Sequence, residues 1–157
     1  MELDALVQTA RFLYYLPLAL WIGATAGVLF VSLPAVFRSS DSVAAAGAVA
    51  EHALVRLDRL KIALALPFLG ASLFRLVAWE NPSMSGPFLR FTAGAAMVAL
   101  DLGSALLVMP RLRALRPLAA ASPAGSPERA AFAKLERRSV RLGSAALLAG
   151  VLAMFLS

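Results

Sequence analysis

FLYYLPLALWIGATAGVLFVSLPAVF, residues Phe12 to Phe37, runs for 26 residues without a charged side chain. A helix of roughly 20 apolar residues crosses a hydrocarbon core. This stretch is long enough to span and too long for the apolar part of a secretory leader, a competing reading that Glu2 and Asp4 beside the single Arg11 also disfavour. The rest of the chain agrees: of 157 residues 61% are hydrophobic and only 15% charged. A soluble domain carries nearer a quarter charged residues and has no core large enough for so much apolar surface.

Three further segments follow. One runs from about Leu60 to Trp79, with Pro67 expected to kink it and Arg75 one turn from its end, placed to snorkel to headgroups. Another runs from about Phe88 to Met109, closing at Pro110, with Asp101 inside it. The last, from about Leu142 to Ser157, is short unless its helix begins before the membrane. The expected fold is all-α: an integral membrane four-helix bundle, one domain over residues 1–157, with spans at about 12–37, 60–79, 88–109 and 142–157 and cytoplasmic loops at 38–59 and 110–141.

Arg11, Arg75 and Arg90 fall on one side of such a bundle and the other 12 basic residues on the opposite side. The positive-inside rule then puts both loops in the cytoplasm and both termini outside, as expected of a multi-pass protein of the cell inner membrane. Placed this way, the net charge of +6 requires no nucleic-acid partner.

Both loops carry helix starts. Ser40, Asp41 and Ser42 precede a stretch from Val43 with helical apolar spacing, and Ser126, Pro127 and Glu128 form a cap, a first-turn proline and a first-turn acid. Spans 2 and 4 are therefore expected to begin as cytoplasmic helices, with Pro117 to Pro127 as the flexible linker. The halves also read alike. Leu33-Pro34 matches Met109-Pro110, Gly27 and Gly103 each precede the proline by seven residues, and Leu57-Asp58-Arg59 matches Leu135-Glu136-Arg137. The alternatives are a parallel repeat of two helix hairpins, or two hairpins converging under the same start and stop rules.

Asp101 is the candidate intramembrane polar site, about 13 Å of helix rise from Pro110 and so near mid-bilayer. Thr25 at the same depth and Ser104 one turn away are its expected hydrogen-bond donors, with no intramembrane partner of opposite charge at its level. Arg75 is expected to lie too far outward to reach it. The functional reading is a proton, cation or substrate contact, and the structural one a neutral Asp that fixes packing. Trp21, deeper than an interfacial belt, is expected to pack on another helix or line a cavity. Gly23 with Gly27, and Ala146 with Gly150, are small-residue pairs expected to pack inside the bundle rather than form a dimer face. Lys134, Arg137, Arg138 and Arg141 form a basic stripe suited to anionic lipid headgroups. His52 reads as a solvated surface histidine, and Met84, Met97, Met109 and Met154 do not form a methionine box. No metal site or cofactor is expected: the chain has no cysteine and one histidine, and no glycine loop or hydrolytic triad is legible.

Leu20-Trp21-Ile22-Gly23, the exit Leu33-Pro34-Ala35-Val36-Phe37-Arg38, Pro110-Arg111-Leu112-Arg113 and the stretch Phe132-Ala133-Lys134-Leu135-Glu136-Arg137-Arg138-Ser139-Val140 follow one another in an order that resembles the bacterial domain-of-unknown-function family related to transmembrane protein 205. The resemblance covers nearly the whole chain. It implies a compact four-helix inner-membrane protein and supplies no established enzymatic activity. A eukaryotic relative's association with resistance to metal-containing drugs hints at transport or trafficking. That family commonly introduces the fourth span with a Leu-His pair before the Arg and Ser, whereas Glu136 stands here. The expected function is non-catalytic: an accessory or assembly subunit packing against a membrane-protein partner or its own copies. The alternative is a small transporter or channel component that uses Asp101.

Overall fold

The computed structural model describes residues 2–78, 80, 85–123 and 125–157, and their side chains except those of residues 2–4, 43 and 44. Trp79 and Met84 lie outside the described residues. The chain is all-α: α1 (Glu2–Ala26), a π turn (Gly27–Ser32), α2 (Leu33–Ser39), α3 (Val43–Ala78), α4 (Ser85–Gly103), a second π turn (Ser104–Val108), α5 (Met109–Ala121) and α6 (Pro127–Phe155). Because the π turns join their neighbours without a break, these elements make four continuous rods. The rods are Ala5–Ser39, Ala45–Ala78, Ser85–Ala121 and Pro127–Phe155, all long and apolar enough to cross a membrane.

At 29 to 37 residues each rod outruns the roughly 20 that a bilayer requires. Spans 2 and 4 begin as helices well before their apolar stretches, as the caps indicated, with Ser126 Oγ accepting from the Arg129 backbone N–H at 3.3 Å. Span 3 differs from expectation. Pro110 does not close it: the helix runs on to Ala121, so the linker shrinks to residues 122–126, where Gly125 takes a φ of +85°.

The π turns account for this. A proline inside a helix clashes with the carbonyl four residues back and leaves it without an amide donor. For Pro34 and Pro110 those carbonyls belong to Phe30 and Leu106, each inside a π turn, where bonding is to the fifth residue rather than the fourth. The Leu33 amide donates to the Val28 carbonyl and the Met109 amide to the Ser104 carbonyl. A shift of 76 residues superposes Pro34 on Pro110, Gly27 on Gly103 and these two hydrogen bonds on one another. Spans 1 and 3 share this proline and π-turn device.

Span 1 packs mainly on span 2 and span 3 mainly on span 4, and the hairpins meet chiefly where spans 2 and 3 touch. The core draws Tyr14, Leu18 and Trp21 from span 1, Ala65, Phe68 and Ala71 from span 2, Met97 and Val98 from span 3 and Ala146 from span 4. Two glycines permit its closest approaches. A Cβ on Gly94 would lie 2.8 Å from Phe68 Cζ, and one on Gly150 would lie 2.6 Å from Met97 Sδ and 3.3 Å from Ile22 Cγ1. The expected internal contact at Ala146 and Gly150 is therefore present. That at Gly23 and Gly27 is not, since a Cβ at either meets nothing within 4 Å and Gly23 is exposed. The bulky faces of span 1 point inward instead, led by Tyr14, Leu18 and Trp21.

Gly94→Leu should destabilise the bundle by about 1–3 kcal/mol through overpacking against the fully buried Phe68 ring. Gly23→Leu should leave its stability unchanged. Thermal loss of helical circular dichroism in detergent reads both.

Candidate functional site

Asp101 lies on α4 and Lys61 on α3. Each is less than one-tenth exposed, and Lys61 Nζ sits 3.0 Å from Asp101 Oδ2. The Trp21 indole N–H from α1 donates to the same oxygen at 2.5 Å. Three spans thus converge on one carboxylate. Lys61, counted by its sequence position among the cytoplasmic basic residues, is the opposite charge that Asp101 was expected to lack. Both residues stand about 25 Å of helix rise from the hairpin end, Lys61 counted back from Ala78 and Asp101 forward from Ser85. Measuring from Pro110, which does not end its helix, hid this match.

The expected hydroxyl donors play other parts. Thr25 is buried and its Oγ1 donates to the Trp21 carbonyl at 2.7 Å, steadying the turn that carries the indole. Ser104 is also buried, one turn beyond Asp101 at the start of the second π turn. Trp21 packs at the centre of the bundle, 2% exposed.

A ladder of charges leads away from this pair along α3 and α5. Arg113 Nη2 is 4.0 Å from Asp58 Oδ2, Arg113 Nε is 3.7 Å from Glu51 Oε1, and Arg116 pairs with the other oxygen of Glu51. Exposure falls along it: the side chains of Glu51, Asp58 and Asp101 are 33%, 23% and 8% exposed. Desolvation therefore deepens step by step from the water-facing end to the Trp21–Asp101–Lys61 contact. His52 stays at the surface, with Nδ1 2.9 Å from the Ala48 carbonyl.

A second polar cluster occupies the opposite end. Arg75 Nη2 donates to Glu80 Oε1 at 3.2 Å and Arg90 Nη2 pairs with Glu80 Oε2. Both guanidinium groups lie over the Tyr14 ring, 4.7 Å and 5.5 Å from its centroid. Arg75 therefore does not snorkel: it is 8% exposed, held inward by the carboxylate and the ring face. It stays out of reach of Asp101, as expected. The Tyr14 hydroxyl donates to the Ala153 carbonyl at 3.2 Å and that of Tyr15 to the Ser157 carbonyl at 3.2 Å, tying span 1 to span 4.

Sequence reasoning missed Lys61 and Arg90 as site residues because charge counting assigned them to the flanks, and it did not single out Glu80. A signal was available for Lys61. Its position three residues after Asp58 continues the face that carries Glu51 and Asp58, a face too charged for lipid. The basic stripe divides as well: Lys134, Arg137, Arg138 and Arg141 are all exposed, but Arg138 borders a cleft between spans 3 and 4, while Arg137 Nε donates to its own helix at the Ala133 carbonyl, 3.2 Å away.

Removing one partner from a buried ion pair strands the other charge, at about 3–5 kcal/mol, whereas replacing both by apolar residues is near neutral. Lys61→Met and Asp101→Leu are each expected to lower the thermal midpoint in detergent sharply, and the double variant to recover most of the loss. Equal, additive losses would show that the pair is uncoupled. The chain matches no protein-family model, no curated protein and no solved structure.

Proposed function

We propose that this membrane protein is a non-catalytic accessory or assembly subunit that docks through span 1 onto a membrane-protein partner or a second copy of itself. The observation that carries this reading is the outward face of span 1, where Ala19 and Gly23 of α1 are exposed and Gly27, at the start of the π turn, partly so, four residues apart. A track of small residues lets a second helix approach closely, the main source of helix association where lipid removes any hydrophobic drive. The inward side supports the same view. The buried polar groups Asp101, Lys61 and Trp21 are engaged with one another across three spans, so they act as a fixed joint. The resemblance to the family related to transmembrane protein 205 is part of this proposal and agrees with a small helical protein lacking enzymatic chemistry.

The orientation we propose puts residues 40–42 and 122–126 in the cytoplasm of an inner-membrane protein, with both termini outside. It rests on the tally of basic residues, 11 against 3 with Lys61 set aside inside the bundle, carried on helices long enough to extend past a membrane. Because the chain has no cysteine, single cysteines report cleanly. Ser40→Cys and Ser122→Cys should react with an impermeant maleimide only after the membrane is opened, and labelling in intact cells would reverse the orientation.

Isolation of the native protein from its own membrane in mild detergent, followed by mass spectrometry, should recover a stoichiometric partner or a homo-oligomer, and Gly23→Leu with Gly27→Leu should lose it without loss of fold. A protein that is alone and monomeric overturns the reading. The charge ladder ending at Asp101 then favours the small transporter or channel component, in which Asp101→Asn abolishes flux.

A further inference from the structure

Between spans 3 and 4, on the end of the bundle that carries the basic loops, lies a cleft of about 250 Å³. Its walls are apolar, with Leu100 and Leu107 from span 3 and Leu135 and Leu142 from span 4, and Gly103 leaves its floor open, since a Cβ there would meet nothing within 4 Å. Two arginines, Arg111 and Arg138, border it. Among the described residues neither has a carboxylate partner, although Arg113 and Arg116 on the same helix are both paired. Water alone does not suit such a place, because the walls offer it few partners. A molecule with an anionic head and an apolar tail suits both parts.

We propose that this cleft is a binding site for one anionic phospholipid, with its phosphate between Arg111 and Arg138 and part of an acyl chain laid over Gly103 between the leucines. The repeat supplies an internal control. The shift of 76 residues places Ala35 where Arg111 stands, and the 78-residue shift relating Leu57-Asp58-Arg59 to Leu135-Glu136-Arg137 places Leu60 where Arg138 stands. Span 1 has the same π turn and proline and the glycine, Gly27, but its hairpin with span 2 has neither arginine. The basic pair is thus a feature of one cleft and not a by-product of how these hairpins end. Basic pockets between transmembrane helices recognise anionic headgroups in this way. The proposal stands independently of the accessory role.

The test is native mass spectrometry of the purified full chain in detergent, titrated separately with dioleoyl phosphatidylglycerol and dioleoyl phosphatidylcholine. The wild-type chain should retain one phosphatidylglycerol and no phosphatidylcholine at the same concentration. Arg111→Gln with Arg138→Gln should weaken that binding roughly 30-fold, the effect of two surface cations on an anionic lipid. Arg38→Gln with Arg56→Gln removes as much charge from the same end of the bundle but on the other hairpin, outside the cleft, and should change it less than about threefold. Gly103→Phe keeps every charge and fills the floor, so it too should lose the lipid, whereas a free phosphate bound by the arginines alone would ignore it. Equal losses in the two double-arginine variants, or equal retention of both lipids, would reduce the effect to diffuse attraction and overturn the proposal.

Discussion

A carboxylate away from water must find its countercharge and its hydrogen bonds within the protein, and Asp101 finds them on two other spans. In a membrane this constraint has more consequence than the apolar packing around it, because lipid tails are as apolar as leucine and give helices no reason to leave them. The Lys61 ammonium at 3.0 Å and the Trp21 indole at 2.5 Å specify which faces of spans 1, 2 and 3 meet. Phe68, Leu18 and Met97 then fill the volume that this choice encloses, each essentially without exposure. Thr25 extends the arrangement by a further bond, since its hydroxyl restrains the carbonyl of the residue that carries the indole.

The π turns set the length over which these contacts operate. An ordinary proline kink at Pro34 or Pro110 would divert the helix and separate the extensions that carry the basic residues. Widening the turn before each proline removes the clash and the unmet carbonyl together. Span 3 therefore carries Arg113 and Arg116 on one continuous rod with Asp101, in register with Glu51, Asp58 and Lys61 on α3. The ladder exists because the rods remain unbroken.

Much of this was readable beforehand. Four spans, the helix starts at Ser126 and near Val43, the buried position of Trp21 and the close approach at Gly150 all follow from hydropathy, capping chemistry and small-residue spacing. What escaped was depth. Proline was read as a terminus, and nothing in a one-dimensional pattern says that a π turn will carry a helix through it, so Asp101 was measured from the wrong end. Lys61 was counted with the loop because basic residues near span ends usually belong there. The glycine pair at Gly23 and Gly27 shows the complementary limit: spacing shows that a helix contact is possible and does not say whether the other helix belongs to the same chain.

The repeated backbone and the unrepeated charges together explain how the halves are joined. Under the 76-residue shift Thr25 corresponds to Asp101 and Tyr14 to Arg90, so the two hairpins share their proline and π-turn device but not their polar side chains. Where they differ, the polar residues reach across: Lys61 of the first hairpin to Asp101 of the second, and Arg75 of the first to Arg90 of the second through the shared Glu80. Lys61 and Arg75 are separated by about 21 Å of helix, so the same pair of spans is joined at two levels. Two identical hairpins would have no preference for how they slide or turn against one another in lipid. An ion pair between the two inner spans at one height, and two arginines bridged by Glu80 at the other, remove both freedoms with few buried polar groups.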